Sequence, residues 1–149
     1  MTLKTLCNRE VLVAYKDDTL FDAAALMRQY HVGDVIIVEE RDGLRYPVGI
    51  VTDRDIVIEV IAKELAIDAI TVGDLMCREL VLAQEDDDLL DAIRLMRQKG
   101  VRRLPVVNKS GVLVGIFAAD DLIELIAEQL QAMAGLIGKE QAQEKQYRY

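Results

Sequence analysis

The sequence lacks tryptophan and has only two cysteines, two prolines and one histidine in 149 residues. Cys7 and Cys77 stand far apart without C-x-x-C spacing, so neither a disulfide framework nor a structural zinc site is supported. His31 is the lone histidine, and we therefore expect no metal site. Such cysteine usage favours a reducing, cytoplasmic location.

Long hydrophobic runs and an excess of positive charge are also missing. No segment reaches the roughly 20 apolar residues that span a bilayer, and the N-terminus has no long apolar run. The formal net charge is −8, which disfavours the broad basic surface that nucleic-acid binding requires. We therefore expect neither a membrane nor a nucleic acid as partner, and an anionic ligand needs a local basic site.

The chain contains an internal duplication. LFDAAALMRQYHVGDVIIV, from Leu20, matches LLDAIRLMRQKGVRRLPVV, from Leu89, at an offset of 69 positions. The offset falls to 66 positions where GIVTDRDI, from Gly49, matches GIFAADDL, from Gly115. A length change between two matched segments marks a surface hairpin.

The two copies show the same order of periodicities. EVLVAY and ELVLAQ read as short strands, and acidic pairs suited to starting a helix follow them at residues 17–18 and 86–87. Apolar residues then recur at helical spacing from Leu20 to Met27 and from Leu89 to Met96. Gly100 is placed to end the second helix.

Each copy continues with two apolar strands around a turn, and then a further helix. Asp42–Gly43 and Ser110–Gly111 supply the turn residues. We predict an α+β fold of two β-α-β-β-α repeats, packed with pseudo-twofold symmetry because one repeat alone cannot bury its apolar surface. The predicted divisions are residues 1–67, residues 68–130, and a helical extension with a polar tail at 131–149, disordered from Lys139 onward.

The recurring LMRQ, VRRLPVV and GIVTDRDI motifs resemble the tandem cystathionine-β-synthase (CBS) domain pair, also called a Bateman module. The resemblance covers roughly residues 3 to 130 and is specific because several motifs recur twice in order. It implies a stand-alone regulatory module with two clefts, which binds adenosine nucleotide without catalysis. It also implies a homodimer, and the apolar segment from Leu122 to Ile137 offers a surface for it.

Within the family motif, the resemblance assigns Thr52 and Asp55 to the ligand, with Asp55 accepting both ribose hydroxyls. Arg54 is a further candidate for phosphate contact. The alternative is that Thr52 or Asp53 only caps a helix that runs through Ile56 to Leu65.

The resemblance also places Arg102 and Arg103 at the ligand's phosphates, in the same cleft as Thr52 and Asp55. The alternative is that both arginines are solvated surface residues. Family positions that line the base edge correspond to Val32, Gly33 and Asp34. The second, weaker cleft would combine Asp121, whose motif has Ala118 instead of a threonine, with Gly33 and Asp34 where the arginines would otherwise stand.

Three functions remain open on this sequence. The leading one is a sensor of AMP, ADP or ATP, with or without Mg²⁺, which acts on an unidentified regulated protein. S-adenosylmethionine and dinucleotides share the adenosine moiety and are alternative ligands. The rivals are a dimeric scaffold with empty clefts and a nucleotide hydrolase, although no nucleophile, base and orienter constellation supports an enzyme.

Overall fold

A computed structural model describes residues 1–77 and 79–148. Within it, residues Met1–Phe117 form one compact unit and the chain from Ala118 onward forms a second. The elements of the first repeat are α1 Leu3–Leu6, β1 Val13–Ala14, α2 Leu20–Tyr30, β2 Asp34–Arg41, β3 Leu44–Thr52 and α3 Asp53–Ile56. A 3₁₀ turn at Ile67–Ala69 precedes the second repeat, which has α4 Val72–Leu75, β4 Ala83–Gln84, α5 Leu89–Lys99, β5 Arg103–Val107, β6 Leu113–Ala118 and α6 Ala119–Arg148.

Two three-stranded sheets, in the orders β1-β2-β3 and β4-β5-β6, are formed by the described residues. In the first sheet, β1 runs parallel to β2 and β2 runs antiparallel to β3. β4 likewise runs parallel to β5. The α+β fold of two repeats is therefore confirmed, although β1 and β4 are only two residues long.

The central helices begin one residue later than the acidic pairs predict. Thr19 caps α2 by accepting a hydrogen bond from the Asp22 N–H, and Asp88 caps α5 by accepting one from the Leu90 N–H. The aspartates that were predicted to start these helices make other hydrogen bonds. The carboxylates of Asp18 and Asp87 accept hydrogen bonds from backbone N–H groups three residues earlier, where they close the turn after each short strand.

Each repeat's N-terminal segment is hydrogen-bonded to the body of the other repeat. Residues 1–8 bond the second repeat, where the Leu3 N–H donates to the Asp87 carbonyl at 3.0 Å. Residues 71–77 bond the first repeat, where the Val72 N–H donates to the Asp18 carbonyl, also at 3.0 Å. Leu3 and Val72, which are 69 positions apart, therefore make equivalent hydrogen bonds, each from its own repeat to the other repeat. A pseudo-twofold axis requires this exchange.

The same exchange fills the core of the first repeat. Val72 and Met76 from the α4 segment lie in one buried cluster with residues of the first repeat, including Leu20, Met27 and Ile37. Leu3 is fully buried at the position equivalent to Val72. Because each repeat contributes buried side chains to the other, neither sequence repeat is a self-contained structural body.

The helix predicted from Ile56 to Leu65 is shorter and less regular than expected. α3 makes only one turn, and a π-helical turn at Val57–Ile61 continues it. Val57, Ile58 and Ile61 are β-branched, and such residues have lower helix propensity than leucine or alanine. Glu64, in the left-handed region with a φ of 56°, lies just beyond.

α6 extends to Arg148, so the prediction of a disordered tail from Lys139 is wrong. Residues 139–146 are lysine, glutamate, glutamine and alanine, all good helix formers, and contain no proline or glycine. Among the described residues, no helix is long and apolar enough to cross a membrane.

Candidate functional site

A cavity of about 740 Å³ lies within the Met1–Phe117 unit and is lined by both repeats. Its lining residues come from the start of β2, the end of β3 and start of α3, the segment before β4, and the chain from the end of α5 into β5. They are Gly33, Asp34, Ile50, Thr52, Asp53, Arg54, Cys77, Glu79, Leu80, Val81, Gly100, Val101, Arg102, Arg103 and Pro105.

This cavity brings together most of the residues that the sequence assigned to a ligand. Thr52 and Arg54 of the first repeat face Arg102 and Arg103 of the second, as the sequence predicts. A cavity of this size is in the usual range for small-molecule sites.

Gly33 and Asp34, which the resemblance places at the base edge and also in a second cleft with Asp121, line this same cavity. Strand register is the reason. β2 and β3 are antiparallel, and Asp34 at the start of β2 is directly paired with Thr52 at the end of β3. The Asp53 N–H also donates to the Gly33 carbonyl at 3.0 Å. The two chain segments therefore open onto one space.

Arg103 is paired with Asp34. Its Nε donates to the Asp34 carboxylate, and the two residues occupy equivalent positions in the two repeats, 69 apart. Asp34 is only 8% exposed, and a buried carboxylate is strongly stabilised by such a charge-assisted hydrogen bond. The arginine expected at a phosphate therefore already has an acidic partner in this structure.

Thr52 and Asp55 form a capping box at the start of α3. The Thr52 hydroxyl accepts a hydrogen bond from the Asp55 N–H at 3.1 Å, and the Asp55 carboxylate accepts one from the Thr52 N–H at 3.0 Å. This confirms the capping role of Thr52. The box satisfies two N–H groups that the helix leaves unpaired.

Asp55 is not among the lining residues in the described part of the chain, whereas Asp53 is. Asp53 Oδ1 accepts a hydrogen bond from the Arg54 N–H at 2.8 Å. Both aspartates therefore accept a hydrogen bond from the backbone, and Asp53 is the one on the described lining. This makes Asp53 a second candidate for the ribose role predicted for Asp55.

The described lining residues carry charges of both signs. They include the arginines 54, 102 and 103 and the acidic residues Asp34, Asp53 and Glu79. The apolar part of the lining is Ile50, Leu80, Val81, Val101 and Pro105. An environment of apolar walls with a few polar groups is typical of sites for small organic ligands.

No ligand role was predicted for Cys77, Glu79, Leu80 or Val81, which line the cavity. The β-rich run ELVLAQ, from Glu79 to Gln84, predicted a strand there instead. Only Ala83–Gln84 is strand. Leu80 and Val81 lie outside the strands and line the cavity.

The two cysteines differ in their environments. Burial raises the pKa of the Cys7 thiol above its ordinary value, partly opposed by the nearby positive charge of Arg9. Cys77 is exposed and lines the cavity. Across residues 1–77 and 79–148, no group of three or more histidine, cysteine, aspartate or glutamate side chains is placed to hold a metal ion.

Two further predicted site residues lie elsewhere. Val32 is partly exposed, and its N–H donates to the Met27 carbonyl at the end of α2. It is not among the described lining residues. Asp121 lies in the first turn of α6, in the second unit. The weaker second cleft assigned to Asp121 stays a prediction.

The chain belongs to the CBS domain family: the family model matches residues 3–62 and 72–128. A CBS domain-containing protein of Bacillus subtilis, YhcV, is 37% identical over 122 residues, which is 81% of this chain and 82% of that protein. The uncharacterized protein MK0525 of Methanopyrus kandleri is 34% identical over 80% of this chain, which spans 60% of that relative's length.

Enzymes also occur among the relatives. Inosine-5'-monophosphate dehydrogenase of Methanocaldococcus jannaschii is 31% identical over 78% of this chain, but the match spans only 22% of the enzyme. The similarity therefore concerns a CBS-containing part of that protein.

Solved structures share the fold. An uncharacterized conserved protein from Pyrococcus horikoshii has a TM-score of 0.73 at 28% identity, over 83% of this chain and 90% of that one. The CBS domain pair of MJ0100, in complex with 5'-methylthioadenosine and S-adenosyl-L-methionine, has a TM-score of 0.75 at 22% identity, over 87% and 98%. The hexameric CBS-CP12 protein from bloom-forming cyanobacteria has 0.71 at 24% identity, over 83% and 69%.

Proposed function

We propose that the protein is a regulatory module that binds an adenosine-containing ligand in the cavity described above, without catalysis. The observation that carries the proposal is the convergence of both repeats on one cavity with apolar walls, a motif aspartate and arginines. That CBS pairs of the same fold hold adenosine compounds, as in MJ0100, supports the ligand class.

The lining suggests how such a ligand would be held. The apolar side chains of Ile50, Val81 and Pro105 suit the faces of a purine ring. A carboxylate accepts both hydroxyls of a ribose, through charge-assisted hydrogen bonds of about 1.5–3 kcal/mol each. Asp53 already lines the cavity, and Asp55 is the residue that the family pattern assigns.

The pair Asp53→Asn and Asp55→Asn decides between the two aspartates. Both substitutions are isosteric and lie on the same short helix. We expect loss of about ten- to a hundredfold in affinity for the variant that loses the ribose contact, measured by calorimetric titration with adenosine. Asp55→Asn weakens the capping box as well, and thermal unfolding of each variant without ligand reports that separate effect.

Phosphate binding through Arg103 requires a rearrangement. Arg103 meets Asp34 in the structure, so a phosphate that takes Arg103 must leave a nearly buried carboxylate without this partner. Adenosine and S-adenosylmethionine avoid this penalty because they carry no phosphate. AMP, ADP and ATP gain Arg102 and Arg54 as further basic groups on the lining.

Calorimetry with adenosine, AMP, ADP, ATP and S-adenosylmethionine ranks these ligands. In the Asp34→Asn variant we expect AMP, ADP and ATP to bind several-fold more tightly, because Arg103 is released, while adenosine changes little. Mg²⁺ is added in a parallel series. Equal shifts for adenosine and ATP would contradict a role for Arg103 at the phosphates.

Cysteine reactivity tests the location of the site. Cys77 lines the cavity, whereas Cys7 has a raised pKa and lies outside it. We expect a bound ligand to slow alkylation of Cys77 at pH 8 and to leave Cys7 unchanged, measured by mass spectrometry of peptides. Cys7 is thus the internal control, and equal protection of both thiols would indicate global stabilisation instead.

Two rival functions have distinct outcomes. If none of the five ligands binds in calorimetry, a scaffold with empty clefts is supported. Release of phosphate from ATP with Mg²⁺, abolished by Asp53→Asn or Asp55→Asn, supports a hydrolase.

The remaining parts of the proposal are assembly, partner and location. We propose that the chain acts as a homodimer on an unidentified regulated protein in the cytoplasm. Light scattering of the purified chain at micromolar concentration tests the dimer, and a monomeric mass would contradict it.

A further inference from the structure

The strongest unexplained surface is the apolar stripe of α6. Large apolar side chains recur along the helix at alternating steps of three and four residues, and all are half or more exposed except Ile126, at 48%. They are Ile123, Ile126, Leu130, Met133 and Ile137. This is the heptad spacing by which one helix packs against another.

The flanks of the stripe widen it. On one side Leu136 is 58% exposed, and on the other side lie Ala127 and Ala134. The charged residues of this segment, Glu124 and Glu128, stand at positions away from the seam. A stripe of this breadth is typical of a helix that is covered in the assembled protein.

We propose that α6 packs against the α6 of a second copy of this chain, in antiparallel orientation. In a heptad lettered a to g, Ile123, Leu130 and Ile137 occupy a positions, and Ile126 and Met133 occupy d positions. Antiparallel packing sets each a position of one helix against a d position of the other. Centring the pair near Glu128 sets Ile123 against Met133 and Ile126 against Leu130. The four central layers therefore each join two large apolar side chains, and Ile137 lies against Ala119.

Charge favours antiparallel over parallel packing. From Ala119 to Gly138 the helix carries Asp120, Asp121, Glu124 and Glu128 and no basic residue, whereas Lys139 and Lys145 follow. Parallel pairing aligns acid with acid and also aligns the two helix dipoles. Antiparallel pairing brings Lys139 of one copy within about a turn of Asp120 in the other, and the dipoles oppose each other.

The available area is sufficient for a dimer. Fully burying one large aliphatic side chain removes roughly 100 Å² from water, so six such side chains per helix give about 1,200 Å² for the pair. That is the lower bound of a stable interface. No additional element of either chain is needed to reach it.

Distance measurements on the full chain test the orientation. Both native cysteines are replaced (Cys7→Ala, Cys77→Ser), and one spin label is attached at Gln143→Cys or at Gln129→Cys. With 1.5 Å rise per residue, antiparallel pairing about residue 128 separates the two labels at position 143 by about 45 Å. Parallel pairing brings them to roughly 10–15 Å. At position 129 we expect a short distance in either case, which is the control for pairing itself.

A disrupting variant tests the interface. Leu130→Glu is expected to raise the dimer dissociation constant by about a hundredfold or more, and the matched control Gln131→Glu, on the opposite side of the helix, is expected to leave it unchanged. Light scattering measures both. A short distance at position 143, or a dimer that Leu130→Glu does not weaken, overturns the α6 pairing. In the second case the homodimer itself survives, through another surface.

Discussion

The two repeats have nearly the same backbone bonds and different charges at the same places. Asn8 and Ile116 exchange two backbone hydrogen bonds, and the equivalent residues Cys77 and Ile50 do the same. At the ligand cavity the symmetry ends, because Asp34 in one repeat faces its own counterpart, Arg103, in the other. A duplicated chain can place opposite charges across its pseudo-twofold axis, whereas two identical subunits bring equal charges together there.

The largest effect is expected from breaking this pair on its arginine side. Arg103→Leu leaves the nearly buried Asp34 without this partner and should lower the free energy of unfolding by about 3 kcal/mol. Asp34→Leu should have a smaller effect, since Arg103 is 28% exposed and can reach water. Urea denaturation measures both. Equal losses in the free energy of unfolding would contradict the difference in burial between Asp34 and Arg103.

The motif glycines give the next contrast. A Cβ at Gly115 would lie 2.6 Å from Cys7 Sγ and 2.9 Å from the Asn8 carbonyl oxygen, whereas one at Gly49 would meet only the side chain of Met76 at comparable distances. Because Met76 can change rotamer and the Asn8 backbone cannot, Gly115→Ala should cost about 2–3 kcal/mol and Gly49→Ala about 1 kcal/mol. Thermal unfolding in the presence of a reducing agent provides the comparison.

The helix ends differ in the residue that adopts the left-handed conformation. α2 ends at His31 with a φ of 55°, and α5 ends at the equivalent Gly100 with a φ of 65°. Gly100→Ala should therefore lose about 1 kcal/mol. His31→Gly should change stability by less than that, because relief of strain is offset by a more flexible unfolded chain. A gain at Gly100→Ala in denaturant titration would contradict the assigned conformation.

The hydroxyl that distinguishes the two motifs has a local use in the structure. Thr52→Ala removes the cap of α3 and should lower stability by about 1 kcal/mol, and Thr52→Ser should retain most of it. Ala118→Ser offers α6 the missing cap and should gain up to about 1 kcal/mol. Chemical denaturation of the three variants tests whether the difference between repeats is one of capping.

The smallest effect concerns the hairpin of the first repeat. Hydrogen bonds from Lys16 and then Arg41 lower the pKa of Glu39 from 4.5 to about 2. The stabilisation is therefore present above the ordinary pKa and is lost as the pH falls toward 2. Lys16→Met should raise the Glu39 pKa, as followed by NMR titration of its carboxyl carbon. The equivalent residue of the second repeat is Asn108, whose side chain has no titratable group.

Local patterns were enough to predict most of the fold. Helical spacing located α2 and α5, and the turn residues Asp42 and Gly43 both have positive φ, as a tight hairpin requires. Gly100 ends α5 as expected. The starts of the helices were missed by a residue, because aspartates serve strand-end turns as readily as helix caps.

For the candidate site, the sequence by itself determined which residue types are present: a motif threonine and aspartates in one repeat, and two arginines in the other. Only the tertiary structure decided how they combine. Strand register placed Asp34 beside Thr52, the approach of the repeats paired it with Arg103, and capping turned Asp55 toward its own backbone. The first two contacts join residues that are far apart in sequence. The third depends on which of several nearby acceptors the N–H group bonds. Hydrophobic periodicity carries no information on the pairing of distant residues or on the choice of acceptor.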